Sequence, residues 1–245
     1  MKHIFFSPHL DDVVLSCGGM IYQLAQAGQS IEVIAVFAGD PPPGPLTPFA
    51  QSLHERWQGD YADRRREDVA SLNHVGAEAF HWPYPDAVYR RDGKTGAALY
   101  GSEESIFGEV HAVDADLIES VAARLQAIDA PARLIVPLAA GGHVDHQVVR
   151  RAAESLGQVL TYYEDYPYVE NPDRLDLALR GRAWTPEVIL LRDDAIRAKA
   201  RAIWAHRSQM STFFSNEEDM ERRVRAYAQR IGGAVGPAER LWRTG

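Results

Sequence analysis

Ser7-Pro8-His9-Leu10-Asp11-Asp12 follows the apolar run Ile4-Phe5-Phe6 and leads into Val13-Val14-Leu15-Ser16-Cys17-Gly18-Gly19. A strand that stops at a proline and then offers an imidazole and two adjacent carboxylates is placing ligands, because burying such groups without partners is costly. His9 and Asp12 stand three residues apart, so they point the same way in a turn or a first helical turn, with Asp11 beside them. They form a nitrogen and oxygen pair for a metal, with a carboxylate to spare. A catalytic zinc site needs one more protein ligand and an open position, so the third ligand lies elsewhere in the chain.

Arg133-Leu134-Ile135-Val136-Pro137-Leu138 reads as a second buried strand, followed by Ala139-Ala140-Gly141-Gly142-His143-Val144-Asp145-His146. The pattern of strand, loop and histidine with carboxylate repeats. In an open parallel sheet, loops at the carboxyl ends of separate strands meet at one crevice, which lets the two clusters converge. Ion pairs that merely hold loops together are a poor explanation for two such clusters at two strand ends.

Pro8-His9-Leu10-Asp11-Asp12 together with His143-Val144-Asp145-His146 resembles the PIG-L/LmbE-like family of zinc-dependent N-acetylglucosaminyl deacetylases. Lys199-Ala200-Arg201-Ala202-Ile203-Trp204-Ala205-His206-Arg207-Ser208-Gln209 resembles that family's late Lys…His-x-Ser-Gln helix, so the likeness runs from the first strand to about Gln209. The resemblance implies that His9, Asp12 and His146 bind Zn2+, with Fe2+ and other divalent metals also suited to two histidines and a carboxylate. It implies Asp11 as general base, and His143 as the oxyanion donor, kept protonated and oriented by Asp145. A metal-bound water would then attack the amide of an N-acetylglucosamine-type sugar or glycoconjugate. An amidase or an S-conjugate hydrolase would use the same metal site. Leu10 stands where the family's motif usually has proline and Val13 where it often has glutamate, neither at a ligand position. Arg64, three residues before Glu67, resembles an arginine of the family's Arg-Arg-x-Glu helix, and Asp86 in Pro83-Tyr84-Pro85-Asp86 parallels a loop aspartate; both are carried over as substrate-binding residues. His206 is a candidate to stand behind the ligands.

The rest of the chain reads as α/β, a Rossmann-like three-layer sandwich with a mainly parallel sheet. Ile31 to Phe37 is a second strand, Phe80-His81-Trp82 a third and Val159 to Tyr163 a later one; Val188 to Leu191 is a late strand, antiparallel and at an edge. Asp40 to Pro48 holds five prolines and forms neither helix nor central strand. Val69, Leu72, Asn73 and Val75 form a core-facing helical stripe, and Gln147 to Leu156 a short helix. Residues 84–113 mix aromatics with glycines and read as an irregular flap over the site. Residues 194–245 read as a C-terminal helical cap, with Met220, Val224, Tyr227 and Ile231 on one face, closing the fold or an oligomer contact.

The 245 residues suit one large domain. A net charge of −8 disfavours nucleic acid as a general partner, since that is bound through clustered Lys and Arg. The partner expected instead is a small-molecule or glycoconjugate substrate, with a homo-oligomer left open. No apolar run approaches a membrane span, no apolar leader precedes the first strand, and the lone Cys17 fits a cytoplasmic setting.

Overall fold

The computed structural model describes residues 1–57, 59–128 and 131–244. In chain order the first half comprises β1 (Lys2–Ser7), α1 (Asp12–Gln26), β2 (Ser30–Ala35), α2 (Pro48–Arg56), α3 (Tyr61–Val75), β3 (Glu78–His81), α4 (Glu103–Ile106) and α5 (Ala115–Gln126). The second half comprises β4 (Ala132–Pro137), α6 (Val144–Glu154), β5 (Thr161–Tyr163), α7 (Pro172–Ala178), β6 (Trp184–Leu190), α8 (Asp193–Ala205), α9 (Arg207–Phe213), α10 (Glu217–Gly232) and β7 (Ala238–Thr244).

One seven-stranded sheet has the order β3-β2-β1-β4-β5-β7-β6. Strands β1 to β5 pair in parallel, while β7 runs antiparallel to both β5 and β6. β1 lies between β2 and β4, with Phe5 opposite both Val33 and Ile135. Strand order therefore reverses at β1, and the loops that leave β1 and β4 open onto one crevice, as expected of a doubly wound sheet. α1, α3 and α8 pack on one another, as do α5 and α6. Right-handed crossovers place these two groups on opposite faces, giving the three layers. Ile4, Phe5 and Phe6 are fully buried, as a strand covered on both faces must be.

Three expectations change. The last residues do not continue a helical cap: Ala238–Thr244 re-enters the sheet as β7 between β5 and β6, and residue 245 lies outside the described residues. Its charged side chains are each paired, Glu239 with Lys199, Arg240 with Glu164 and Arg243 with Glu187, so a sequence too polar for a covered strand is accommodated. Along α3, Val69 is exposed while Arg64, Asp68 and Ser71 are buried beside Leu72 and Val75, so the inward face is partly polar. The 84–113 segment is irregular but packed: Tyr89, Tyr100 and Ile106 join Leu10, Leu53, Tyr61 and Val144 in a second apolar cluster. Tyr100 there donates to Asp114 and accepts from the His111 N–H, at 2.6 and 2.8 Å.

Gly18 and Gly19 have a packing reason. A Cβ on Gly19 would meet Leu191 Cδ1 at 2.7 Å and Glu239 Oε1 at 3.2 Å, and one on Gly18 would meet Lys199 Cγ at 3.1 Å, so the missing side chains let α8 and the Glu239 carboxylate of β7 come close to α1.

Candidate metal centre

The loop after β1 is fixed by its own hydrogen bonds. Ser7 Oγ donates to the His9 carbonyl at 2.5 Å and accepts the Val13 N–H at 3.1 Å, while the His9 N–H donates to Asp12 Oδ2 at 2.7 Å. Asp12 opens α1, and His143 is the N-cap of α6, whose first turn carries Asp145 and His146. The expected helix thus begins earlier than Gln147, and the second cluster sits on its N-terminus rather than in a loop.

The convergence is close. Asp12 Oδ2 lies 3.2 Å from His9 Nδ1 and 3.3 Å from His146 Nε2. Zinc with ligands at about 2.0–2.1 Å in a tetrahedron spaces its donor atoms about 3.3 Å apart. His146 Nε2 is buried and has no hydrogen-bond partner, whereas its Nδ1 meets Asp165 Oδ1 at 2.7 Å. Asp165 is held in turn by the Ala140 N–H at 2.8 Å. A carboxylate on one ring nitrogen, with the other nitrogen left to the metal, is how metal-binding histidines are oriented. His9, His143 and His146 also each offer a nitrogen within 4.8 Å of the others, as do His9, Asp86 and Asp145 with their donor atoms. Buried imidazole nitrogens and carboxylate oxygens gathered this closely are donors of the kind a divalent cation takes.

The charges agree with that fit. Burial opposes a charge on His146, yet Asp12 and Asp165 hold its pKa up to about 9; His9 is likewise raised against its burial by Asp12 and Asp145. Burial would raise Asp12, but the two imidazoles pull it well below the carboxylate range.

His9, Asp11, Asp12, Arg64, Asp86 and His143 line one crevice. Asp11 is raised above the ordinary carboxylate value, first by burial and then by Asp12, with Arg64 and His9 pulling the other way. Asp86 accepts from Tyr61 Oη at 2.9 Å and from the Val88 N–H at 3.1 Å. Arg64 is buried with Nε and Nη1 unpartnered, its guanidinium 4.6 Å from the Tyr61 ring centroid.

Asp145 differs from expectation. Its carboxylate is taken up by Arg90 Nη1 at 2.5 Å, the Ala87 N–H at 3.0 Å and His9 Nε2 at 3.0 Å. Only its backbone reaches His143, donating to Nδ1 at 3.2 Å. That bond leaves Nδ1 without a proton, so neutral His143 carries its hydrogen on Nε2. Burial and the neighbouring His9 hold its pKa well below the usual value.

The model of the GlcNAc-PI de-N-acetylase family matches residues 4–156, well over half of the chain. The chain belongs to the PIG-L family. It is similar along 98% of its length to the 2'-N-acetylparomamine deacetylase of Niallia circulans, at 27% identity and with 89% of that protein covered. The corresponding enzyme of Streptomyces fradiae is also 27% identical, over 100% of this chain and 86% of that one. The zinc-inhibited form of teicoplanin deacetylase superposes with a TM-score of 0.84 at 27% identity, covering 100% of this chain and 98% of that one. The chain is accordingly an N-deacetylase, and its three-layer fold is that of solved PIG-L deacetylases.

Several residues of this PIG-L site were not singled out from sequence. Asp165, in the run Glu164-Asp165-Tyr166-Pro167-Tyr168, carries no local signal of its role, yet it is the partner of His146. Arg90, inside the packed flap, neutralises Asp145. Of the late helix, Gln209 lines the crevice and His206 is buried with both ring nitrogens unpartnered, while Lys199 turns away to Glu239. Burial holds His206 down to about 4, a neutral imidazole. Among the described residues no helix is long and apolar enough to cross a membrane.

Proposed function

We propose that this chain removes the N-acetyl group of an N-acetylglucosamine-type sugar, using a divalent cation, zinc in the first instance, held by His9, Asp12 and His146. The carrying observation is His146: one nitrogen fixed on Asp165, the other bare, buried and 3.3 Å from Asp12 Oδ2. A cation bound there supplies a water acidic enough to lose a proton near neutral pH and a Lewis acid for the amide oxygen.

The remaining chemistry belongs to the chain's own groups. Asp11, raised by burial in the crevice, takes a proton from the attacking water and returns it to the amine as the C–N bond breaks. One water and one amide thus become acetate and a free amino sugar. His143 donates its Nε2 hydrogen to the amide oxygen as negative charge gathers there, its ring aimed by the Asp145 backbone N–H. Asp145 serves His9 instead, steadying that imidazole with Arg90 as counter-charge. Arg64 and Asp86 flank the crevice as donor and acceptor for sugar hydroxyls.

Acetate release from N-acetylglucosamine glycosides tests this directly, on protein stripped of metal, on protein reloaded with zinc and on Asp11→Asn. Turnover that needs the cation and falls by about 10²–10⁴-fold in the variant, with metal content kept, is the expected result. One-to-one metal binding without acetate release from any sugar would move the assignment to another acyl group.

A further inference from the structure

Opposite charges line the crevice without closing on each other. Arg64, Asp11 and Asp86 are all buried there, near enough for the guanidinium to feel the charge of both carboxylates. Among the described residues, however, no ion pair joins Arg64 to either one, and its Nε and Nη1 have no hydrogen-bond partner. Away from bulk water a guanidinium and a carboxylate pair directly unless something else holds them.

Tyr61 holds both. It is the first residue of α3, whose start is fixed by a reciprocal cap: Asp60 accepts the Asp63 N–H at 2.7 Å, and Asp63 accepts the Asp60 N–H at 3.4 Å. Arg64 stands one helical turn further on, on the same face, so its guanidinium lies 4.6 Å from the Tyr61 ring centroid and 4.8 Å from that of Trp57. The far end of the same side chain, Tyr61 Oη, donates to Asp86 Oδ2 at 2.9 Å. Asp86 Oδ1 accepts the Val88 N–H at 3.1 Å, so the carboxylate is tied through both oxygens. Tyr89, in the short turn that Asp86 caps, packs edge-on against the Tyr61 ring at 5.8 Å, and its hydroxyl meets His54 Nε2 at 2.5 Å. Burial, with Asp86 alongside, pushes the Tyr61 phenol well above its usual value, so it remains a donor.

We infer that Tyr61 is a positioning residue: it holds Arg64 by its ring and Asp86 by its hydroxyl, and so keeps the two from neutralising each other. The inference rests on the role proposed above for Arg64 and Asp86 at the sugar hydroxyls, and adds what leaves them free for it. A donor and an acceptor locked in a salt bridge have little capacity left for a neutral sugar. Held apart on one rigid side chain they keep a fixed spacing, and the hydrogen bonds they have not yet made are left to what enters the crevice. A cation without hydrogen-bond partners is expensive to bury, and the ring face offsets part of that penalty. Only tyrosine offers both devices at that reach, since phenylalanine lacks the hydroxyl and an aliphatic residue lacks the ring as well.

The test compares zinc-loaded wild type, Tyr61→Phe and Tyr61→Leu, by crystallography and by acetate release from both anomers of methyl N-acetylglucosaminide. In Tyr61→Leu the Arg64 guanidinium should close onto the Asp86 carboxylate, and KM should rise about tenfold, equivalent to about 1.4 kcal/mol, with kcat and zinc content kept. Tyr61→Phe keeps the guanidinium on the ring and frees only Asp86, so its KM should rise by about threefold, half that free energy. Arg64 and Asp86 still apart in Tyr61→Leu, or a closed pair with KM unchanged, would overturn the inference and leave the deacetylase function standing. Should Tyr61→Leu fail to fold, the isosteric Tyr61→Phe decides, and a KM equal to that of wild type counts against the inference. No acetate release from wild type would remove the deacetylase function, while the spacing of Arg64 and Asp86 in the variant crystals would still decide what Tyr61 does.

Discussion

Two buried polar clusters sit on helix α1, and they are finished differently. Along its middle, Lys199 Nζ donates to Glu239 Oε1 at 2.7 Å and to the Ser16 carbonyl at 3.3 Å, while Glu239 accepts the Gly19 and Met20 N–H groups at 3.0 and 2.7 Å. Neither side chain keeps a buried atom without a partner. At its N-terminus, Asp12 faces a bare His146 Nε2, with the unpartnered atoms of Arg64 and His206 nearby in the same part of the fold. Burying unpaired polar atoms costs stability, so a protein keeps them where something else completes the set. The completed cluster is a clamp and the incomplete one is a site, although both bring side chains of opposite charge together against the same helix.

The contrast breaks most visibly at the clamp. Lys199→Met leaves the Glu239 carboxylate buried without its cation, which costs about 3–5 kcal/mol. Urea unfolding should register that loss, while turnover per folded molecule is kept. Loss of turnover with unchanged stability would instead tie Lys199 to the chemistry. A smaller effect is expected from Asp165→Asn, which weakens the orientation of His146: competition with a chelator should reveal metal affinity lower by about 10–100-fold. If affinity is unchanged, Asp165 belongs with the clamp.

The most graded test is proton release. His9 and His146 hold protons at neutral pH when no cation is bound, since carboxylates raise both, His146 to about 9. A metal binds the neutral imidazoles, so it must displace those protons, and affinity rises as pH rises toward that value, by about tenfold per pH unit for each proton displaced. Calorimetry of metal binding in buffers of different ionisation enthalpy counts the protons. Affinity that does not vary between pH 6 and 8 would mean that the imidazoles are already free.

What could be read from sequence follows the range of the interactions involved. His9 with Asp12 and His143 with His146 are local spacings at strand ends, and the sheet order that joins them follows from two apolar strands and the rules of parallel connection. The partners of these residues are remote: Asp165 lies 19 residues from His146, and Arg90 55 residues from Asp145. Nothing local marks either pairing, and Arg90 sits in a stretch whose glycines and aromatics look like mobile chain. The face of α3 was misplaced for a related reason, because Arg64, Asp68 and Ser71 turn toward the protein and hydropathy assigns them to water. Strand β7 was hidden by Glu239, Arg240 and Arg243, whose charges are cancelled by residues on other elements.

That strand also sets the order in which the molecule can be completed. β7 is the last element along the chain yet lies between β5 and β6, so until it is made β5 has an open edge and β6 has no neighbour in the sheet. Glu239 on the same strand is what α1 and Lys199 await. The helix whose first residue is Asp12 is synthesised well before the strand that secures it, Gly19 and Glu239 standing 220 residues apart. A ribosome must therefore deliver that strand before the metal centre has a settled frame.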